Sequence, residues 1–245
     1  MSYLRKYLGI HSLFKENIKN FKHIPIKKNI TLSNEEVTCI CPTYDESLLI
    51  KYALESTKDF VDRYIIIDKD GKTVPNIKEA IDEFSLDVEI HIKPELNRLQ
   101  SRDFAIKKTK SKWIFLQDGD EVFYTKGLYS IHNLRKLMVH ENILICAPKL
   151  LLYKTLRSTL RRITLMPPHP ILIYNNGTFS PQTNPALDIP KVEGWRMGLP
   201  YPVLFNCRLK RSSDKELLVP YDPEKYYPYP SIVKRMMREL DPKYV

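Results

Sequence analysis

A chain of 245 residues, 43% of them hydrophobic, is long enough to bury one full α/β core but not several large ones. Its net charge of +10 and pI near 9.3 point to acidic partners: phosphates, nucleic acid or an anionic membrane surface. The chain has no apolar run of about 18 residues to span a membrane, no signal-peptide core and no metal spacing among its four cysteines, so buried reduced thiols and a cytoplasmic location are expected.

In chain order, residues 2–22 read as a helix with a ragged apolar stripe (Leu4, Tyr7, Leu8, Leu13, Phe14, Ile18, Phe21) opposite Arg5, Lys6, Lys15, Lys19 and Lys22. Packing on the domain is its ordinary fate, and contact with anionic lipid, at the inner face of a membrane, is the alternative. A linker at Lys27-Lys28-Asn29 leads to a strand, Val37–Cys41, expected to stop at Pro42 and to turn Cys39 and Cys41 to opposite faces. A helix over Glu46–Asp59, a strand Tyr64–Ile67 ending on Asp68, and a turn at Lys69-Asp70-Gly71-Lys72 follow. Next come a helix Ile77–Phe84, a strand Val88–Ile92 and a helix Leu99–Lys107. Strands alternating with helices predict a mostly parallel sheet covered by helices.

Trp113 to Gln117 is an apolar run, broken only by its Gln, that enters Asp118-Gly119-Asp120. It reads as a buried strand ending in a turn, with its carboxylates at the end where open α/β sheets bind ligands. Two carboxylates one residue apart can both reach a hard cation, and Gly119 lets the backbone bend between them. Magnesium or manganese would keep waters and take other ligands from a phosphate-bearing substrate. A solvated turn is the plainer alternative.

Beyond this point the pattern loosens. A helix is expected over Leu128–Val139 and a strand over Ile143–Ala147. Residues 142–187 contain no Asp or Glu but hold Lys149, Lys154, Arg157, Arg161 and Arg162, which suits either a solvated face or a nearby polyanion. A Pro- and Tyr-rich segment, Tyr221–Pro230, precedes a last basic helix, Ser231–Leu240, and reads as an arm over the domain or a contact surface for a partner.

Four pieces in order carry a resemblance: Cys41-Pro42-Thr43-Tyr44-Asp45-Glu46, Asp68-Lys69-Asp70-Gly71, Asn97-Arg98-Leu99-Gln100-Ser101-Arg102-Asp103, and Asp118-Gly119-Asp120. Together they resemble the family 2 glycosyltransferases, enzymes of the GT-A fold that use nucleotide sugars. The likeness covers residues 37–125 well and the remainder poorly. It implies a GT-A type, Rossmann-like mixed sheet with a basic N-terminal helix and an irregular C-terminal extension. The divisions are then 1–36, helix and linker; 37–125, the nucleotide-sugar-binding half; and 126–245, the acceptor-side half and arm, in one compact domain.

The resemblance also implies roles. Pro42, Thr43, Tyr44 and Glu46 would hold the uridine end of the donor, Asp68 and Asp70 the base or ribose, Arg102 the phosphates, and Asp118 the ribose and metal shell. Asp120 would contact Mn2+ or Mg2+ most directly. Family members invert the anomeric centre, so a carboxylate base is implied; Asp188 and then Glu193 are the next acidic residues after the carboxylate-free span. His169 is a candidate third metal ligand, Asn206 a candidate for the family's later histidine position, and Trp195 a candidate platform for an acceptor sugar. Leu99 and Gln100, where many relatives carry Gly, depart from the pattern, as does the Lys-containing turn after Asp68. The implied partners are a nucleotide-sugar donor, probed first as a UDP-sugar, and a sugar, lipid-linked or protein acceptor; nucleic acid is not favoured. Rival readings are a nucleotidyltransferase, which would want a Gly-rich basic loop where Pro42-Thr43-Tyr44-Asp45-Glu46 stands, a non-catalytic nucleic-acid binder, and an inactive transferase.

Overall fold

Val37–Thr43 (β1), Arg63–Asp68 (β2), Val88–Ile92 (β3) and Trp113–Leu116 (β4) pair in parallel in the order β3-β2-β1-β4. Their crossovers are the helices Ile50–Glu55 (α1), Val74–Phe84 (α2) and Arg98–Lys108 (α3). The computed structural model describes residues 33–138, 143–160, 165–175, 180–184, 189–191, 195–199, 202–209 and 218–244. The helix expected over residues 2–22 and its linker lie outside these residues.

Both faces of β1, β2 and β4 are buried, which is why their sequences are nearly continuous apolar runs, whereas β3, at the sheet edge, is half-buried and alternates apolar with polar residues. Cys39, Cys41, Tyr64, Ile66, Trp113 and Phe115 face Ile50, Leu54, Ile77 and Ala80 of α1 and α2. Ile40, Ile65, Ile67, Ile114 and Leu116 face Ala105 and Ile106 of α3. Cys39 and Cys41 therefore share a face, correcting the expectation that they part, because residues two apart on a strand point the same way.

Element boundaries follow local hydrogen bonding. β1 runs through Pro42 instead of stopping there. The Ile40 carbonyl accepts from Gln117 N on the β4 side (3.2 Å) and the Thr43 carbonyl from Lys69 N on the β2 side (3.1 Å). Pro42, two residues after Ile40, thus turns its nitrogen toward β4, which pairs with β1 only as far as Ile40↔Leu116, so the missing N–H leaves no ladder acceptor empty. α1 is much shorter than the expected Glu46–Asp59. Ser56 Oγ bonds the Ala53 carbonyl (2.6 Å) and Thr57 Oγ1 that of Leu54 (3.2 Å), giving the backbone an alternative to further helix. α3 opens on a capping box: Asn97 Oδ1 accepts from Gln100 N (3.0 Å) and Gln100 Oε1 from Asn97 N (2.9 Å).

The second half is more regular than expected. Glu121–Phe123 (β5), Ile143–Tyr153 (β6), Leu165–Tyr174 (β8), Trp195–Gly198 (β11) and Leu204–Arg208 (β12) complete a nine-stranded sheet, β3-β2-β1-β4-β8-β6-β12-β5, with β11 also on β6. Ser158–Leu160 (β7) pairs with Leu218–Pro220 (β13), and Ser180–Asn184 (β9) with Ile189–Lys191 (β10). The C-terminal extension is thus not irregular throughout: β8 and β12 are inserted into the main sheet, held by pairings to β4, β5 and β6 that no local signal announces. The sheet is mixed and mostly parallel; β8 is antiparallel to β4 and β6, and β12 to β5. The expected helix at Leu128–Val139 is a 3₁₀ segment, Ile131–Leu137, burying Ile131, Leu134 and Leu137.

The final helix, Ser231–Glu239 (α4), docks on α1 and β12. Ile232, Val233 and Met236 are buried with Leu49, Val122, Phe205 and Tyr221, and Arg235 forks onto the Glu55 carboxylate. Among the described residues no helix is long and apolar enough to cross a membrane.

Candidate active site

The parallel strands put their carboxyl ends on one edge, and the order places β1 beside β4, so the loops after these two strands diverge and open a crevice. A cleft of about 490 Å³ lies there, within the range of small-molecule sites, lined by Pro42 to Glu46 on one side and Asp118, Gly119 and Asp120 on the other. Arg98 and Arg208 also line it.

The acidic turn is tightly held. Gln117, wholly buried, donates through Nε2 to the carbonyls of Ala53 (2.9 Å) and Glu121 (3.1 Å). Glu121 N reaches the Asp118 carbonyl (3.0 Å) and Glu121 Oε2 accepts from Asp118 N (3.1 Å). Cys207 N donates to the Asp120 carbonyl (2.7 Å), tying the turn to β12. Gly119 packs so closely on the β1 loop that a Cβ there would lie 3.0 Å from Thr43 Cγ2 and Glu46 Cγ.

Charges converge on this turn. Asp118 accepts from Arg102 Nη2 (2.7 Å) and Arg98 Nη1 (3.3 Å). Burial alone would raise the Asp118 carboxyl, but Arg102, Lys149 and Arg98 outweigh it and hold it well below the usual carboxylate range. Asp120 is pushed up to about 7, first by burial and then by the charges of Asp118 and Glu121, against the pull of Arg208 and Lys149. Glu121 is buried and ion-paired with the equally buried Lys149. Asn206 Nδ2 donates to Asp120 Oδ1 (2.9 Å) and Glu121 Oε1 (3.3 Å), while its Oδ1 accepts from Arg208 Nε (2.8 Å).

Oxygens of Asp118, Asp120 and Glu121 all lie within 4.8 Å of one another. Three converging carboxylates, one of them strained by repulsion from the other two, fit a hard divalent cation, whose charge would relieve that strain.

Residues 38–147 match the family model described as Glycosyl transferase family 2. That segment, a little under half of the chain, is what matches the family. No curated protein matches it. Among solved structures it is similar to S. aureus TarS 1-349, with 14% identity and a TM-score of 0.44 over 69% of this chain and 60% of that one. The same TarS fragment in complex with UDP gives 17% identity and a TM-score of 0.42 over the same shares, 69% and 60%. The inositol-1-phosphate CTP transferase from T. maritima gives 11% and 0.45 over 86% of this chain and 100% of that one. The chain thus spans 60% of the length of the TarS fragments.

Within the matched segment, Pro42, Thr43, Tyr44, Glu46, Asp118 and Asp120 come together at the cleft. Tyr44 is 61% exposed there, with Lys69 Nζ 5.3 Å from its ring centroid. Arg102 stands behind them on Asp118. Asp68 is wholly buried and does not line the cleft: its carboxylate accepts from Thr43 Oγ1 (3.1 Å) and Thr73 N (3.1 Å), and Thr73 Oγ1 accepts from Glu46 N (3.2 Å). Asp70 lies on the following turn, paired with Lys72 (3.2 Å). His169, on β8, is pushed down to about 3 by burial and then by Lys149, and its Nε2 is buried without a hydrogen-bond partner among the described residues. It is not one of the three groups that converge within 4.8 Å. Asp188 and Glu193 lie outside the described residues, as does the Trp195 side chain.

Glu121, Lys149, Arg98 and Arg208 escaped the sequence reading of the site. Glu121 directly follows Asp120, so a run of three acids in four residues was its only signal. Lys149, read as part of a solvated or polyanion-facing stretch, is instead buried on Glu121, because β6 runs beside β12 in the middle of the sheet.

Proposed function

We propose that this chain transfers a sugar, with inversion, from a nucleotide sugar to an acceptor hydroxyl. The observation that carries the reading is the acidic turn of Asp118, Asp120 and Glu121, flanked by Arg98 and Arg102, at a cleft inside the matched domain.

The loop Pro42–Glu46 holds the nucleoside, with the exposed Tyr44 ring offering a face for the base. Asp68 keeps that loop in place through Thr43 and Thr73. Arg98 and Arg102 orient the phosphates, to which a guanidinium fork presents paired N–H donors. Asp118 and Asp120, supported by Glu121, would hold Mn2+ or Mg2+, which when bound offsets charge on a departing diphosphate. UDP is the favoured nucleotide, in keeping with the resemblance and with the UDP complex of TarS. The acceptor proton goes to a carboxylate, Asp188 before Glu193, since residues 142–187 supply none.

The test is manganese-dependent hydrolysis of UDP-, GDP- and TDP-sugars, beside a thermal-shift screen of the same donors, with wild type and Asp120→Ala. Metal-dependent turnover and donor stabilisation, both lost in the variant, are expected. Turnover that survives Asp120→Ala, or the absence of any donor effect, overturns the assignment. Asp188→Asn and Glu193→Gln then assign the base: the correct one abolishes transfer and leaves donor affinity unchanged.

A further inference from the structure

Among the described residues, four cations surround the acidic turn, and three of them are held by carboxylates. Arg98 and Arg102 sit on Asp118, and Lys149 on Glu121. Arg208 differs. Its Nε donates to Asn206 Oδ1 at 2.8 Å, and among the described residues no carboxylate pairs with its guanidinium. The residue lines the cleft beside Asp118, Gly119 and Asp120.

The backbone explains this placement. β12 runs antiparallel to β5 in the register Leu204↔Phe123, Phe205↔Val122, Asn206↔Glu121, and Cys207 N continues it onto the Asp120 carbonyl. The next residue, Arg208, therefore stands alongside the acidic turn. Asn206 and Arg208, two apart on one strand, share a face, so one amide can grip both sides of the site. Its nitrogen fixes Asp120 and Glu121 while its oxygen fixes Arg208 Nε. Anchored at Nε, the guanidinium loses rotational freedom before any ligand arrives, and its two terminal nitrogens are left for a planar oxyanion pair.

We propose that Arg208 binds the terminal phosphate of the nucleoside diphosphate leaving group, and that Asn206 is the positioning residue that presents it. This rests on the nucleotide-sugar reading above, and it assigns a residue 61 positions beyond the matched segment's last residue, 147, to the same site. Arg208 discriminates between nucleotides by their phosphate count: a diphosphate reaches it, whereas a monophosphate held by the Pro42–Glu46 loop does not.

Calorimetric titration of the full chain with uridine, UMP and UDP in Mn2+ tests this, using wild type, Arg208→Ala, Arg208→Lys, Asn206→Ala and the double variant. Arg208→Ala is expected to weaken UDP about 10- to 100-fold, the loss typical of a charge-assisted hydrogen-bonded pair, and UMP by less than about 2-fold. Arg208→Lys is expected to fall between, since it keeps charge without the fork. Asn206→Ala should weaken UDP, and should do so far less once Arg208 is already Ala, because the two act as one unit. Mn2+ binding without nucleotide, followed by electron paramagnetic resonance, should not be lost in Arg208→Ala, since the variant removes a neighbouring positive charge and no carboxylate of the turn. Equal loss of UDP and UMP, or no loss of UDP, overturns the assignment. If UDP affinity holds while the KM of a phosphorylated acceptor rises, the phosphate Arg208 takes belongs to the acceptor, which also overturns it. If wild type binds none of the three nucleotides, nor GDP or TDP in the same titration, the nucleotide-sugar reading itself fails; if wild type binds UDP and only the Arg208 variants are indifferent, that reading stands and this one falls.

Discussion

At Gly119 the constraint is space. A methyl group there would meet Thr43 Cγ2 and Glu46 Cγ at 3.0 Å, tighter than ordinary carbon contact, and Thr43 is itself buried and bonded to Asp68. Gly119→Ala is therefore expected to push the β1 loop from the acidic turn, at a cost of about 1–3 kcal/mol. Urea denaturation measures that cost, and UDP-sugar affinity should fall with it. Asp120 presents the opposite trade. Its carboxylate is crowded by those of Asp118 and Glu121, so Asp120→Asn removes repulsion as well as a ligand. Without metal the variant should melt no lower than wild type, and added Mn2+, which should stabilise wild type, should leave it unmoved. A variant that melts well below wild type in the absence of metal would show that the turn depends on this carboxylate for folding.

The elements differ in how far they could be read in advance. β2 and β3 were legible because Tyr64–Ile67 and Val88–Ile92 are apolar or alternating runs bounded by turns, with their partners nearby in sequence. Asp118 and Asp120 were legible for the same reason: the run Trp113–Leu116 delivers them to a strand end. β5, β8 and β12 were not, since Glu121–Phe123 is too short for periodicity and Leu165–Tyr174 carries three prolines, Pro167, Pro168 and Pro170. Their placement comes from pairing across the sheet, and with it the partners of the site. Lys149 and Glu121 are 28 residues apart and meet only because β6 and β5 flank β12. That ion pair is buried, so removing one half leaves the other unneutralised. Lys149→Met should cost about 3–5 kcal/mol in chemical denaturation, and Lys149→Met with Glu121→Gln markedly less. Equal losses in the single and double variants would mean that packing of the lysine stem, and not charge, is what the pair supplies.

Across the whole molecule, the cleft wall and the C-terminal arm share one buried cluster. Leu49, which precedes α1, and Cys207 and Leu209, at the end of β12, line the cleft, and they belong to the same buried cluster as Tyr221, Ile232, Val233 and Met236 of the C-terminal arm. The arm is fastened by more than apolar area. Arg235 forks onto Glu55, Tyr52 Oη donates to Glu239 (2.9 Å), and Tyr221 Oη donates to the Tyr227 carbonyl (2.7 Å) beside a cluster of aromatic rings around Phe205. A defect in the arm should therefore be felt at the site, although no arm residue from Tyr221 onward lines the cleft. Met236, wholly buried, is the sharpest probe: Met236→Ala should cost about 2–5 kcal/mol, and by loosening Leu49 and Leu209 should raise the KM for the donor more than it lowers kcat. Arg235→Ala, half-exposed and at the edge of the contact, should do the same more weakly. Partial proteolysis should cut the arm faster in both variants, and donor binding should slow that cutting if cleft and arm are coupled through the shared cluster. Faster cutting with an unchanged KM would show instead that the arm is a clamp on α1 alone, and that the cleft wall stands without it.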